Sequence, residues 1–94
     1  MKEIIQLHAV FKGNVQGVFF RQHIKEYAEK LNVKGYVKNL KNGSVEMIAI
    51  SDKQTLQTLL DQIIKKPGQG SISNIEKNYS KQNLKKFENF EILY

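Results

Sequence analysis

The segment IQLHAVFKGNVQGVFFRQHIKEYAEKL, Ile5 to Leu31, changes its hydrophobic period part-way along. At its start Ile5, Leu7, Ala9 and Phe11 alternate with Gln6, His8, Val10 and Lys12, the period of two expected of a strand with one buried face. At its end Phe20, Ile24, Tyr27, Ala28 and Leu31 recur at the spacing of one helical face, which predicts a helix from Arg21 to Leu31. Gly13 and Gly17 punctuate the join. The rest of the chain extends the pattern. Val33 to Leu40 reads as a strand, Lys41-Asn42-Gly43 contains an Asn-Gly turn, and Ser44 to Ile50 reads as the returning strand of a hairpin. Ser51 and Gln54 match a capping box, with Ser51 as the helix N-cap. Leu56, Leu59, Leu60, Ile63 and Ile64 form the stripe of a second helix, which Pro67 and Gly68 end. Ser71 to Tyr79 reads as a strand of imperfect alternation, and Phe90, Ile92 and Tyr94 as a short last one. The order is βαββαβ with a terminal β. A helix that leaves a strand must pack back on the sheet with a right-handed crossover. The pattern therefore predicts an α+β, ferredoxin-like sandwich: an antiparallel sheet, two helices on one face and a short C-terminal extra strand.

The 94 residues predict one domain, 1–94, with a single modest core. The composition, 40% hydrophobic and 26% charged, is that of a soluble globular protein. The absence of cysteine excludes disulfides, thiolate metal sites and cysteine nucleophiles, and fits a cytoplasmic location. MKEIIQLHAVFKG alternates where a signal peptide needs an unbroken apolar run. No segment approaches the ~20 apolar residues of a membrane span, so no membrane partner is expected. A formal net charge of +6 favours anionic partners, although the lysines are spread along the chain as on a solvated basic surface. Of 15 basic residues, Arg21 is the single arginine.

That arginine stands where the glycine loop meets the first helix. Glycines open backbone conformations that let a loop turn several N–H groups inward. The helix N-terminus adds unpartnered N–H groups and the positive end of a dipole. The combination is an anion site, and phosphate suits it; the other reading of the glycines is a plain tight turn. A guanidinium grips two phosphate oxygens at once, where lysine offers a point charge. Other phosphate motifs fail: Gly17-Val18-Phe19 breaks a Walker A loop, and no GxGxxG is present, so neither ATP nor NAD is indicated.

Gly13-Asn14-Val15-Gln16-Gly17-Val18-Phe19-Phe20-Arg21 matches the GxVQGVxFR signature of acylphosphatases at every defined position, and the chain resembles that family. A second family signature is met by Gly35-Tyr36-Val37-Lys38-Asn39-Leu40-Lys41-Asn42-Gly43-Ser44-Val45. Length, motif spacing and element order agree as well. Two departures stand out: Ser51 replaces a usual glycine, and the Lys66-Pro67-Gly68-Gln69-Gly70 loop is less typical. The resemblance implies hydrolysis of small acyl phosphates to a carboxylate and inorganic phosphate. It implies that the backbone of Val15, Gln16, Gly17, Val18, Phe19 and Phe20, with Arg21, binds the phosphoryl oxygens. It also implies that Asn39, facing the loop from the second strand, orients the attacking water.

Such chemistry asks little more of the protein. A carboxylate leaves unprotonated near pH 7 because its own pKa is about 4–5. Phosphoryl transfer through a loose transition state depends mostly on positioning and electrostatic stabilisation. No metal or other cofactor is expected, since Arg21 and the amides meet the negative charge. Inorganic phosphate is expected as product and competitive inhibitor, and a monomer is the default state. His8 and His23 read as structural or surface residues, and Tyr27 and Phe20 as core residues. A rival from another class is an RNA-binding module, which shares the element order. Lys34-Gly35-Tyr36-Val37 echoes its basic-Gly-aromatic motif, but Lys38, Asn39 and Leu40 follow where aromatics should recur. No specific nucleic acid is therefore expected. A non-catalytic domain of the same family is the third reading, and retention of both Arg21 and Asn39 weighs against it.

Overall fold

Strand β1 (Ile4–Asn14) realises the alternation: Ile5, Leu7, Ala9 and Phe11 are buried and their neighbours less so. The computed structural model describes residues 3–17, 19–68, 70–81 and 87–94. Beyond β1 follow α1 (Phe20–Lys30), β2 (Lys34–Asn39), β3 (Val45–Asp52), α2 (Lys53–Lys65), β4 (Ser71–Ser80) and β5 (Phe90–Leu93). These form a five-stranded sheet in the order β4-β1-β3-β2-β5. Phe20, Ile24 and Ala28 of α1 and Leu56, Leu59, Leu60 and Ile63 of α2 join Leu7, Ala9, Phe11, Val37 and Met47 of the sheet in one core. Ile64, expected in the stripe of α2, is exposed instead.

The ferredoxin-like arrangement stands, with one edge different from expectation. β1, β2, β3 and β4 pair antiparallel, but β5 runs parallel to β2, from Gly35↔Phe90 to Lys38↔Leu93. The cause is chain direction. β4 lies antiparallel to β1, so it finishes at the end of the sheet where β2 begins. A strand entered from that end can only run alongside β2 in the same sense. The carboxyl ends of β1, β2 and β5 therefore meet at one end of the sheet.

Three local features also differ. The N-cap of α2 is Asp52, whose carboxylate accepts from Thr55 N at 3.0 Å, and not Ser51. Pairing of β1 with β3 continues through Ile5↔Ser51 and Ile4↔Asp52, which holds Ser51 in the strand. In the hairpin, Gly43 alone takes up the left-handed backbone, at φ 91°, while Asn42 Oδ1 accepts from Ser44 N at 3.0 Å. The turn is thus closed by an Asn side chain and a left-handed glycine, a longer connection than a two-residue Asn-Gly turn. Gly13 belongs to β1, at a register shift against β4, where a Cβ would come 2.2 Å from Ser71 O. It permits close strand approach and lies outside the loop.

The sheet face away from the helices carries a polar cluster. Glu46 accepts from Tyr36 Oη at 3.2 Å and lies 2.9 Å from His8 Nε2 and 3.7 Å from Lys38 Nζ. Burial alone would raise the Glu46 pKa. The hydrogen bonds from His8 and Tyr36 and the charges of His8 and Lys38 outweigh it and hold the carboxyl below its usual range. Burial, with the Glu46 charge and hydrogen bond, raises the Tyr36 phenol.

Candidate active site

The loop leaving β1 is pinned at both ends by buried apolar side chains. Val15 is buried, and Phe20 packs edge-on against Phe11 with ring centroids 5.4 Å apart. Gly17 has φ 73°, and a Cβ there would meet nothing within 4 Å, so conformation alone demands glycine. Phe19 is left-handed too, at φ 59° and ψ 20°. For a bulky residue this costs roughly 1–2 kcal/mol. Phe19 occupies the N-cap position of α1 and makes no side-chain cap hydrogen bond. Among the described residues, no hydrogen bond takes up the backbone N–H groups of Gln16, Gly17, Phe19 or Phe20. Donors therefore remain open at the positive end of α1. Val18, also expected in the phosphate cradle, lies outside the described residues.

Arg21, in the first turn of α1, reaches to the end of β5. Its Nη1 donates to Leu93 O at 3.4 Å, and its Cζ lies 4.9 Å from the centroid of the Tyr94 ring. A guanidinium so placed is oriented from one edge and one face, which leaves its other donors directed elsewhere. Arg21, Gly17, Phe19 and Gln22 line a cavity of about 370 Å³, whose remaining walls include Val15, Phe20, Ile92 and Tyr94. A larger cavity, about 470 Å³, lies at the far end of β1 among Ile5, Lys53, Tyr79 and Lys81, and contains none of the expected site residues.

Asn39 ends β2 two residues beyond the buried Val37 and so shares its helix-side face. It is exposed, it forms no side-chain hydrogen bond among the described residues, and it is not part of the cavity lining. Two contacts bring it toward the loop. Lys38, its neighbour, is in register with Leu93, the residue whose carbonyl Arg21 engages. Gln16 Nε2 donates to Leu40 O at 2.9 Å and to Ser44 O at 2.8 Å, on either side of the hairpin turn. Both partners are acceptors, so the amide presents its NH₂ group to them. The Gln16 side chain thus fastens the loop to the hairpin that carries Asn39. Sequence reasoning used only the backbone of Gln16, and it missed Tyr94 as a neighbour of Arg21.

The histidines do other work. His8 belongs to the Glu46 cluster, and His23 packs beneath Gly68, where a Cβ would lie 2.4 Å from its ring. Among the described residues, no three His, Asp or Glu side chains gather as a metal site would need. None of the described helices is long and apolar enough to cross a membrane.

The family model for acylphosphatase matches residues 7–92, a span that includes the loop, Arg21, Asn39 and nearly all of β5. The chain belongs to the acylphosphatase family. The acylphosphatase of Archaeoglobus fulgidus is 35% identical over 91 residues, 97% of this chain and 100% of the relative. That of Coxiella burnetii is 39% identical over 69 residues, 73% of each chain. The crystal structure of acylphosphatase from Bacillus subtilis matches with a TM-score of 0.89 at 29% identity, covering 96% of this chain and 99% of that one. The activity of an acylphosphatase is hydrolysis of the carboxyl–phosphate bond of acyl phosphates, giving a carboxylate and inorganic phosphate. It acts on small molecules, in keeping with a cavity of this size at the end of a small sheet.

Proposed function

We propose that this acylphosphatase holds the phosphoryl group of its substrate against the backbone from Val15 to Phe20 and the guanidinium of Arg21, while Asn39 orients the attacking water. The observation that carries this reading is the uncapped start of α1, with open amides beside an arginine fixed by Leu93 O and the Tyr94 ring. The amides and the arginine meet charge on the equatorial oxygens, where a loose transition state spreads it. Water attacks phosphorus, the bond from phosphorus to the acyl oxygen breaks, and its electron pair leaves on the carboxylate. The water's proton passes to the phosphate or to solvent. No general acid is needed, because a carboxylate leaves unprotonated near pH 7.

The same reading makes the reaction independent of added metal and makes inorganic phosphate a competitive inhibitor. The small size and cysteine-free composition support a monomer that works in the cytoplasm. Hydrolysis of benzoyl phosphate with and without a chelator tests the proposal: turnover should survive chelation, and phosphate should compete. Loss of activity on removing metal, restored by adding it back, would overturn the metal-independent mechanism.

A further inference from the structure

Phe19 has three features that packing does not explain. It takes up a left-handed backbone at φ 59°, it stands at a helix N-cap where it caps nothing, and its large ring is 75% exposed. Asn or Gly would tolerate that backbone, and Asn would cap as well. A strained residue beside a functional cavity is a reason to look for a role there. Phe19 lines the cavity that Gly17 and Arg21 also line, and Tyr94, fully exposed, is a second aromatic residue of its lining. The cavity, about 370 Å³, lies within the range of about 300–1,000 Å³ found for ligand pockets and leaves room beyond a phosphoryl group.

We infer that Phe19 is the specificity-determining residue for the acyl group, and that it favours aromatic and other bulky apolar acyl phosphates over acetyl phosphate. The inference rests on the phosphoryl placement proposed above. With phosphate seated on the loop amides and Arg21, the acyl group must project outward from the cradle. The exposed aromatic surface the cavity lining offers it is that of Phe19, with Tyr94 as a second aromatic of the lining. An aryl group covers the phenyl face, whereas a methyl group covers little of it. The advantage belongs to the acyl part alone, so inorganic phosphate does not share it.

The test compares benzoyl and acetyl phosphate with the unsubstituted protein and with Phe19→Asn, Phe19→Gly and Phe19→Tyr. Asn and Gly suit the left-handed backbone, so both variants keep the loop geometry and remove the apolar wall. In both, kcat/KM for benzoyl phosphate should fall about tenfold more than kcat/KM for acetyl phosphate, a difference of about 1.4 kcal/mol, whatever change the two substrates share through the Phe19 amide. Phe19→Tyr should retain the benzoyl preference. Parallel changes for both substrates, with phosphate still competing, would overturn the role of Phe19 and leave the phosphoryl site intact. Failure of phosphate to compete in the unsubstituted protein would overturn both.

Discussion

Replacing Gln16 with methionine keeps the side chain's length and removes its two donors. Leu40 O still accepts from Gly43 N at 3.2 Å, and Ser44 O from Leu40 N at 2.8 Å, so neither carbonyl is orphaned. The loss is then two net hydrogen bonds at about 1 kcal/mol each, roughly 2 kcal/mol in all. At about 4–8 °C per kcal/mol for a domain of this size, thermal unfolding should come about 8–16 °C earlier. The larger consequence is geometric. Without the clamp the loop and the hairpin are free to shift, and a displacement of about 1 Å at a reacting centre costs on the order of a hundredfold in rate. The Gln16→Met variant should therefore lose about 10–100-fold in kcat/KM for benzoyl phosphate, assayed well below its unfolding temperature. Gln16→Glu should be worse at pH 7, because a carboxylate would face two carbonyl oxygens. An earlier melting point with unchanged kinetics would refute the link between clamp and catalysis. No change in either would refute the clamp itself.

Gly17→Ala and Gly43→Ala both place a Cβ in open space at positive φ, so each should cost roughly 1–2 kcal/mol of stability. Only Gly17→Ala should also weaken phosphate inhibition, and equal kinetic effects would argue against an anion-binding loop. Glu46 has a lowered folded pKa, so its stabilisation is present above its unfolded value of 4.5 and is lost as pH falls through the folded value. The melting temperature of Glu46→Gln should accordingly decline less steeply on acidification below about pH 4.5 than that of the unsubstituted protein; parallel declines would contradict the lowered pKa. Removing the ring in Tyr94→Ala takes away one of two supports of the Arg21 guanidinium and should raise the inhibition constant for phosphate, whereas an unchanged constant would show that Leu93 O suffices.

The elements were legible because each has a period of its own. Ile5 to Phe11 could bury one face only as a strand, and Phe20 to Leu31 only as a helix. What the sequence did not disclose depends on partners far along the chain. Nothing local in Phe90 to Leu93 tells whether it lies parallel or antiparallel; that follows from the end of the sheet at which β4 finishes. Ser51 looks like a cap until its pairing with Ile5 holds it in β3, and the cap passes to Asp52. The site divides the same way. Gly17, Arg21 and Asn39, proposed for the site, were named from chemistry and paired motifs. The Gln16 clamp needs two carbonyls that lie 24 and 28 residues away, and the left-handed backbone of Phe19 is one that a phenyl side chain argues against.

The assignment of Arg21 to the phosphoryl group and of Asn39 to the water is tested most directly by one paired measurement, kcat and the phosphate inhibition constant for Arg21→Ala and Asn39→Ala. Charge-assisted hydrogen bonds contribute roughly 1.5–3 kcal/mol each. Loss of two should lower kcat/KM for Arg21→Ala by about 10²–10⁴ and weaken phosphate binding with it. For Asn39→Ala, kcat should fall at least about a hundredfold while the inhibition constant stays nearly unchanged. Loss of phosphate inhibition in Asn39→Ala with its retention in Arg21→Ala would reverse the two roles, and full activity in both variants would place the chemistry elsewhere.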